Sequence, residues 1–267
     1  MDTDNELLNK AEMVVLFCIM HRKAGLSLKA HFLSQLPDLL PLSDFLLYLN
    51  LSYNNLDCFP PVVFQLNCLE ALKLRNNPIK FIPGEISAMR NLKFLIMPFN
   101  LLTTLPPELF ALPNLQSLDV SYNELEYIPN EIQNLRNLTY LNVEGNLLYS
   151  LPCGILKLQL SHLLVENNFL HPCFWTESFL MQPQRLTDMA ALCFVKHHLW
   201  KIYQISEEIQ DILSNFAGCD CCKGPLYGKG FRFILVYRNL QGLRLPYQFA
   251  ACSPDCCMAF VTAVQTG

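Results

Sequence analysis

Apolar and polar residues follow one recurring unit through the middle of this chain. Leu46-x-x-Leu49-x-Leu51-x-x-Asn54-x-Leu56 returns from Leu69 (Leu72, Leu74, Asn77, Ile79), from Leu92 (Leu95, Met97, Asn100, Leu102) and from Leu115 (Leu118, Val120, Asn123, Leu125). It returns again from Leu138 (Leu141, Val143, Asn146, Leu148) and from Leu160 (Leu163, Val165, Asn168, Leu170), with starts 23 residues apart and a last step of 22. The aliphatic positions predict one short strand per unit with its apolar side turned inward. A unit this small cannot bury its own core and must stack on its neighbours. The Asn falls where the chain leaves the strand, and its amide suits backbone groups that stacking would otherwise leave unpaired. Phe59-Pro60, Ile82-Pro83, Leu105-Pro106, Ile128-Pro129 and Leu151-Pro152 mark where the return segment begins, because Pro fixes φ.

This period and pattern resemble leucine-rich repeats, and the 23-residue unit with its Leu-Pro step resembles the intracellular, Ras-suppressor-like class. The resemblance implies an α/β repeat solenoid, a horseshoe lined by a parallel sheet, over residues 23–172 in about seven units. The first unit is degenerate: Leu26, Leu28, Leu33 and Leu36-Pro37 keep the register with His31 in the Asn place. Residues 1–22 predict a helical cap, with Leu7, Leu8, Ala11, Val14 and Val15 on one face, since an uncapped solenoid would expose its core edge to water.

Residues between the buried positions stand out from parallel strands in columns. The first column is Tyr48, Ala71, Phe94, Ser117, Tyr140 and His162; the third and fourth include Arg75, Pro98, Glu144 and Tyr53, Phe99, Tyr122. Phe94, Ile96, Pro98 and Phe99 are expected to be exposed together, flanked by Tyr48, Tyr122 and Tyr140. A contiguous apolar patch of this kind marks a protein-binding surface, or one that the C-terminal region folds back to cover.

Composition narrows the function classes. The chain has 267 residues, 52% of them hydrophobic, and a net charge of −4, which leaves no basic footprint for nucleic acid. The apolar run from Met13 to Met20 is followed by His21-Arg22-Lys23 and fits neither a signal peptide nor a membrane span. An intracellular protein of the cytoplasm or nucleus is therefore expected, and its 12 cysteines then favour thiols or metal ligands over disulfides.

After Asn168 the period fails. Residues 176–183 read as a linker. A helix is expected from Arg185 to Trp200, with Leu186, Met189, Ala190, Cys193 and His197 on one face, and a second carries Ile202, Ile205, Ile209, Ile212, Leu213 and Phe216. These helices make up a segment over 184–217, and residues 218–267 form a Cys-rich tail. In the tail, Cys219-Asp220-Cys221-Cys222 and Cys252-Ser253-Pro254-Asp255-Cys256-Cys257 bracket two strand-like runs, Phe231–Tyr237 and Leu245–Ala251. Two close cysteine pairs joined by a β-hairpin resemble a zinc ribbon, in which Zn²⁺ takes four thiolates. Cys219, Cys222, Cys252 and Cys256 are the best ligand set and Cys221 and Cys257 the spares. Buried free thiols and redox chemistry are the other readings.

The run Leu186-Thr187-Asp188-Met189-Ala190-Ala191-Leu192-Cys193, then Cys219-x-x-Cys222-x-x-Pro225, Leu245-Pro246 and Cys252-Ser253-Pro254-Asp255-Cys256, resembles the leucine-rich repeat-containing protein 58 family, with protein 28 as a more distant relative. That resemblance implies an elongin-binding box, with Met189 in its Leu place and Cys193 in its Cys place, and hence a substrate receptor docking elongin B/C and a cullin. His197 stands where the box has an aliphatic residue, and an apolar stripe with one Cys is more often that of an ordinary packing helix on the end of the solenoid. The other reading is a signalling scaffold that holds a small GTPase or a phosphatase on its concave face. An enzyme is not expected. The six histidines make no metalloprotease spacing, and neither a Gly-rich phosphate loop nor a Gly-x-Ser-x-Gly turn occurs.

Overall fold

The computed structural model describes residues 2–170, 184–203, 205–238 and 242–265. The expected linker over 176–183 lies outside the described residues. The chain divides into two compact units, Met1–Phe169 and Leu170–Gly267.

In the first unit the repeats become three-residue strands: β1 (Gly25–Ser27), β2 (Tyr48–Asn50), β3 (Ala71–Lys73), β4 (Phe94–Ile96), β5 (Ser117–Asp119), β6 (Tyr140–Asn142) and β7 (His162–Leu164). They form one parallel sheet in chain order, in register with the repeat, so that Tyr48, Ala71, Phe94, Ser117, Tyr140 and His162 are successive partners. Leu26 and the centres of the other strands, from Leu49 to Leu163, are buried. A 3-10 turn starts directly after each of Pro60, Pro83, Pro106, Pro129 and Pro152. The ring holds these prolines near φ −65°, the extended entry such a turn requires. This is the leucine-rich-repeat solenoid that the spacing implies.

Strands of three residues carry few ladder hydrogen bonds, and the asparagines supply more. Asn100 Nδ2 donates to Leu74 O of the preceding repeat (3.0 Å) and to Met97 O of its own (3.1 Å), while its Oδ1 accepts the Ile79 N–H (3.3 Å). Asn54, Asn77, Asn123, Asn146 and Asn168 repeat this three-way bridge. A second, outer ladder was not read from the pattern: Asn91, Asn114 and Asn137 donate to Asn67 O, Arg90 O and Pro113 O of the repeats before them. At the N-terminal end α1 (Asp2–Met20) buries Ala11, Val15 and Cys18. It leaves Met13, Leu16, Phe17 and Met20 exposed.

The second unit holds α2 (Leu186–Lys196), α3 (Glu207–Ser214), the short antiparallel pair β8 (Ala217–Gly218) and β9 (Pro225–Leu226), the hairpin β10 (Phe231–Arg238) and β11 (Arg244–Ala251), and α4 (Pro254–Gln265). The hairpin pairs Phe231 with Ala251 through to Arg238 with Arg244. Its core gathers Cys219, Leu226, Ala251 and Cys257, with Phe231, Phe233 and Val261 packed against them. The arrangement departs from a ribbon in one respect. The second cysteine pair leaves the end of the hairpin and enters a helix, with Cys256 in the first turn of α4.

Because four buried backbone groups, Leu74 O, Met97 O, Pro98 O and Ile79 N–H, bond to one amide, Asn100→Ala is expected to cost at least about 2 kcal/mol. The exposed Asn55→Ala should stay within about 0.5 kcal/mol of the parent. Urea unfolding of the two variants measures the difference.

Candidate functional site

The first candidate is the face built by the side chains that leave the strands outward. Phe94, Phe99 and Tyr122 keep 40, 42 and 40% of their surface exposed, while Tyr48, Ile96 and Tyr140 are half-buried. Pro98, expected to be exposed with them, is buried. Its carbonyl accepts the Asn76 N–H at 2.9 Å, and Ser52 and Ser121 at the same register are buried too. This column lies in the turn off the strand, where only long side chains such as Arg75 reach water.

The next column has an unusual backbone. Tyr53, Asn76, Phe99, Tyr122, Gly145 and Asn167, each immediately before a ladder Asn, all have φ between 51° and 61°. Non-glycine residues adopt this left-handed conformation at a cost, and it persists where surrounding bonds over-determine it. Here the conformation lines up aromatic rings. Phe99 stacks on Tyr122 with centroids 4.5 Å apart and planes 4° from parallel. The Arg75 guanidinium stands 5.0 Å from the Phe99 centroid and 5.8 Å from Tyr53, and Lys29 Nζ stands 5.2 Å from Tyr53. Cation–aromatic contacts of this kind hold both partners in place. Lys29, Tyr53, Arg75, Phe99 and Tyr122 thus form one stack across successive repeats. Arg75 stands in the third column read from the sequence, and carrying that column back into the degenerate first unit finds Lys29, which was not named there.

Charge is graded along this face. Lys29, Lys73 and Arg75 occupy its first half, and Asp119, Glu144 and Glu166 its second. Burial, reinforced by the Asp119 and Glu144 charges, raises the Tyr140 phenol above its usual range.

The second candidate is the cysteine cluster. The Sγ atoms of Cys219, Cys222, Cys252 and Cys256 lie within 4.8 Å of one another. Cys257 is buried in the apolar core beside Cys219, and Cys221 is packed against that core. Burial raises the Cys219 thiol, but the backbone N–H groups of Cys222, Cys221 and Cys252 more than offset this and bring it down to about 7. Burial and the neighbouring thiols push Cys252 and Cys256 up to about 12. Burial and the Cys219 charge do the same to Cys221, also to about 12.

The third is α2. It turns Asp188, Ala191, Leu192 and Val195 inward, with Asp188 against Gly228, whose φ is +62°. Leu186, Met189 and Cys193 are exposed on the opposite side, and His197 ends the helix, also exposed. The stripe expected from spacing is therefore the outward one. No described helix is long and apolar enough to cross a membrane.

Fold and surface define a leucine-rich-repeat interaction module, a class that is generally non-enzymatic. The leucine rich repeat family model matches residues 46–102 and 90–148. Human leucine-rich repeat-containing protein 63 is 52% identical over 245 residues, covering 91% of this chain and 42% of that protein. The mouse protein 63 is 50% identical over 244 residues, covering 91% and 38%. The chain thus spans about two-fifths of the length of the curated relatives it matches. Among solved structures, a Leptospira interrogans leucine-rich-repeat protein is similar with a TM-score of 0.47 and 30% identity, covering 56% of this chain and 44% of that one. These relatives overturn the resemblance to proteins 58 and 28: at about 50% identity over 91% of the chain, the similarity is to protein 63.

A Cβ at Gly145 would lie 2.5 Å from Tyr122 Cδ1, so the Tyr122 ring occupies the space of the side chain its column omits there. Gly145→Ala is expected to cost about 1–2 kcal/mol, from the positive φ and the displaced ring. It should also weaken the near-UV circular dichroism of the Phe99–Tyr122 stack, and equilibrium unfolding followed at both wavelengths checks the pair of effects.

Proposed function

We propose that this chain is a non-enzymatic recognition module that holds an extended segment of a protein partner across the outward face of its strands. The stack from Lys29 to Tyr122 carries this reading, because rigid exposed aromatics and Arg are the residues that dominate interface energies. An acidic stretch of the partner faces Lys29, Lys73 and Arg75. Apolar side chains cover Phe94, Ile96 and Phe99, with Tyr48, Tyr122 and Tyr140 at their flanks, and basic groups face Asp119, Glu144 and Glu166. Phe99→Ser combined with Tyr122→Ser should weaken partner retention at least tenfold while the melting temperature stays within a few degrees, since exposed rings contribute little to the fold. Comparing captured proteins for parent and variant, beside thermal melts, tests this. Equal recovery by both would overturn it.

A second reading concerns α2 and is favoured by the exposure of Met189 and Cys193 at i, i+4 spacing. Anchors so placed suit a helix-in-groove contact, and an elongin B/C and cullin adaptor is the partner class for a substrate receptor. Its former support, the likeness to protein 58, has fallen away, so the reading rests on that helix face alone. Met189→Glu with Cys193→Glu should remove elongins and a cullin from the captured set and leave the proteins held by the concave face. Capture of a small GTPase or phosphatase without elongins would instead favour a signalling scaffold.

A further inference from the structure

The chemistry left unused by that reading lies in the second unit. We propose that Cys219, Cys222, Cys252 and Cys256 bind one zinc ion as a structural tetrathiolate site that joins a tight turn, a hairpin and a helix into one module. The sulfur positions carry the proposal. Cys219 Sγ and Cys256 Sγ are 3.8 Å apart, and Cys222 Sγ and Cys252 Sγ 3.7 Å. A tetrahedron of sulfurs at about 2.3 Å from a central zinc has edges of about 3.8 Å, which these two spacings match, and all four sulfurs lie within 4.8 Å of one another. A disulfide requires about 2.05 Å.

The backbone around the cluster is arranged to hold those positions. The Cys219 N–H donates to Gly224 O at 2.8 Å and the Lys223 N–H to Cys219 O at 3.1 Å, closing a turn in which Lys223 has φ 64°. That turn brings Cys219 and Cys222 to one point. Asp220 clamps it to β11, two residues before Cys252: its N–H donates to Ala250 O at 2.9 Å and its Oδ2 accepts the Ala250 N–H at 2.8 Å. On the other side Ser253 Oγ accepts the Cys256 N–H at 3.1 Å, fixing the first turn of α4. The Cys252 N–H points at Cys219 Sγ at 3.3 Å, a contact that favours negative charge on that sulfur.

Burial of apolar thiols does not account for the tetrad as a whole: Cys219 and Cys257 are both buried in the core, but Cys222 is exposed and still stands against the other sulfurs. Four protein sulfurs leave no open position, which assigns a structural rather than a catalytic ion, and all-thiolate tetrahedral sites suit zinc. A module of about 50 residues gains from a metal what its small core lacks.

The test is metal analysis of the full chain purified under reducing, chelator-free conditions. One zinc per chain is expected, retained by Cys58→Ser and Cys221→Ser and lost from the Cys222→Ser, Cys252→Ser double variant. Cobalt(II) exchanged into the parent protein should give the intense visible bands of a tetrahedral tetrathiolate, a readout that survives if the double variant fails to fold. Stoichiometric absence of metal, iron in place of zinc, two disulfides by non-reducing mass spectrometry, or an octahedral cobalt spectrum would each overturn the proposal.

Discussion

Six asparagine side chains, each donating to at least two carbonyls and accepting one N–H, hold this solenoid at the place where its strands are too short to hold themselves. Each amide bonds a carbonyl of its own repeat and both a carbonyl and an N–H of the repeat before, so no unit satisfies its backbone alone. In water these groups would be solvated; beneath stacked leucines, an unmade bond costs the full desolvation of a buried polar group. The ladder therefore couples neighbouring repeats in addition to the apolar core they share. It is weakest at its last rung, where Asn168 is only partly buried.

The same turn that buries the Asn sets the outward surface. Six residues immediately before a ladder Asn, from Tyr53 to Asn167, are held left-handed, and where they are aromatic their rings fall into line. Gly145 ends the aromatic run because its missing side chain leaves room for the Tyr122 ring. A surface fixed by backbone bonds in the core loses little freedom on binding, which is how a shallow face gains affinity. Stability and recognition here depend on the same hydrogen bonds.

The period, the inward leucines, the ladder asparagines and the proline-led turns were all legible in the sequence, because each is a local rule repeated in register. The four cysteines whose sulfurs converge were also readable from their spacing. Three things were not. Pro98 counted as exposed because alternation along a strand was extended into a turn that does not alternate. The outer ladder of Asn91, Asn114 and Asn137 was hidden because those residues sit before the motif's first leucine and look like ordinary loop asparagines. The placement of Cys256 in a helix rather than at a hairpin end was missed because Ser253-Pro254-Asp255 suits a turn as well as a helix start. The likeness to protein 58 rested on short motifs in the tail, and such motifs separate families poorly beside identity over 91% of the chain.

Hydrogen–deuterium exchange on the full chain tests the central claim most directly, because it reads single amides that the ladder alone protects. The N–H groups of Leu56, Ile79, Leu102 and Leu125 bond only to the Oδ1 of the next repeat's Asn, outside any strand or helix. If the ladder couples the repeats, these four should exchange as slowly as the strand amides beside them, and Leu148, on the part-buried last rung, should exchange faster. Exchange of all five at the rate of exposed loops would contradict the account.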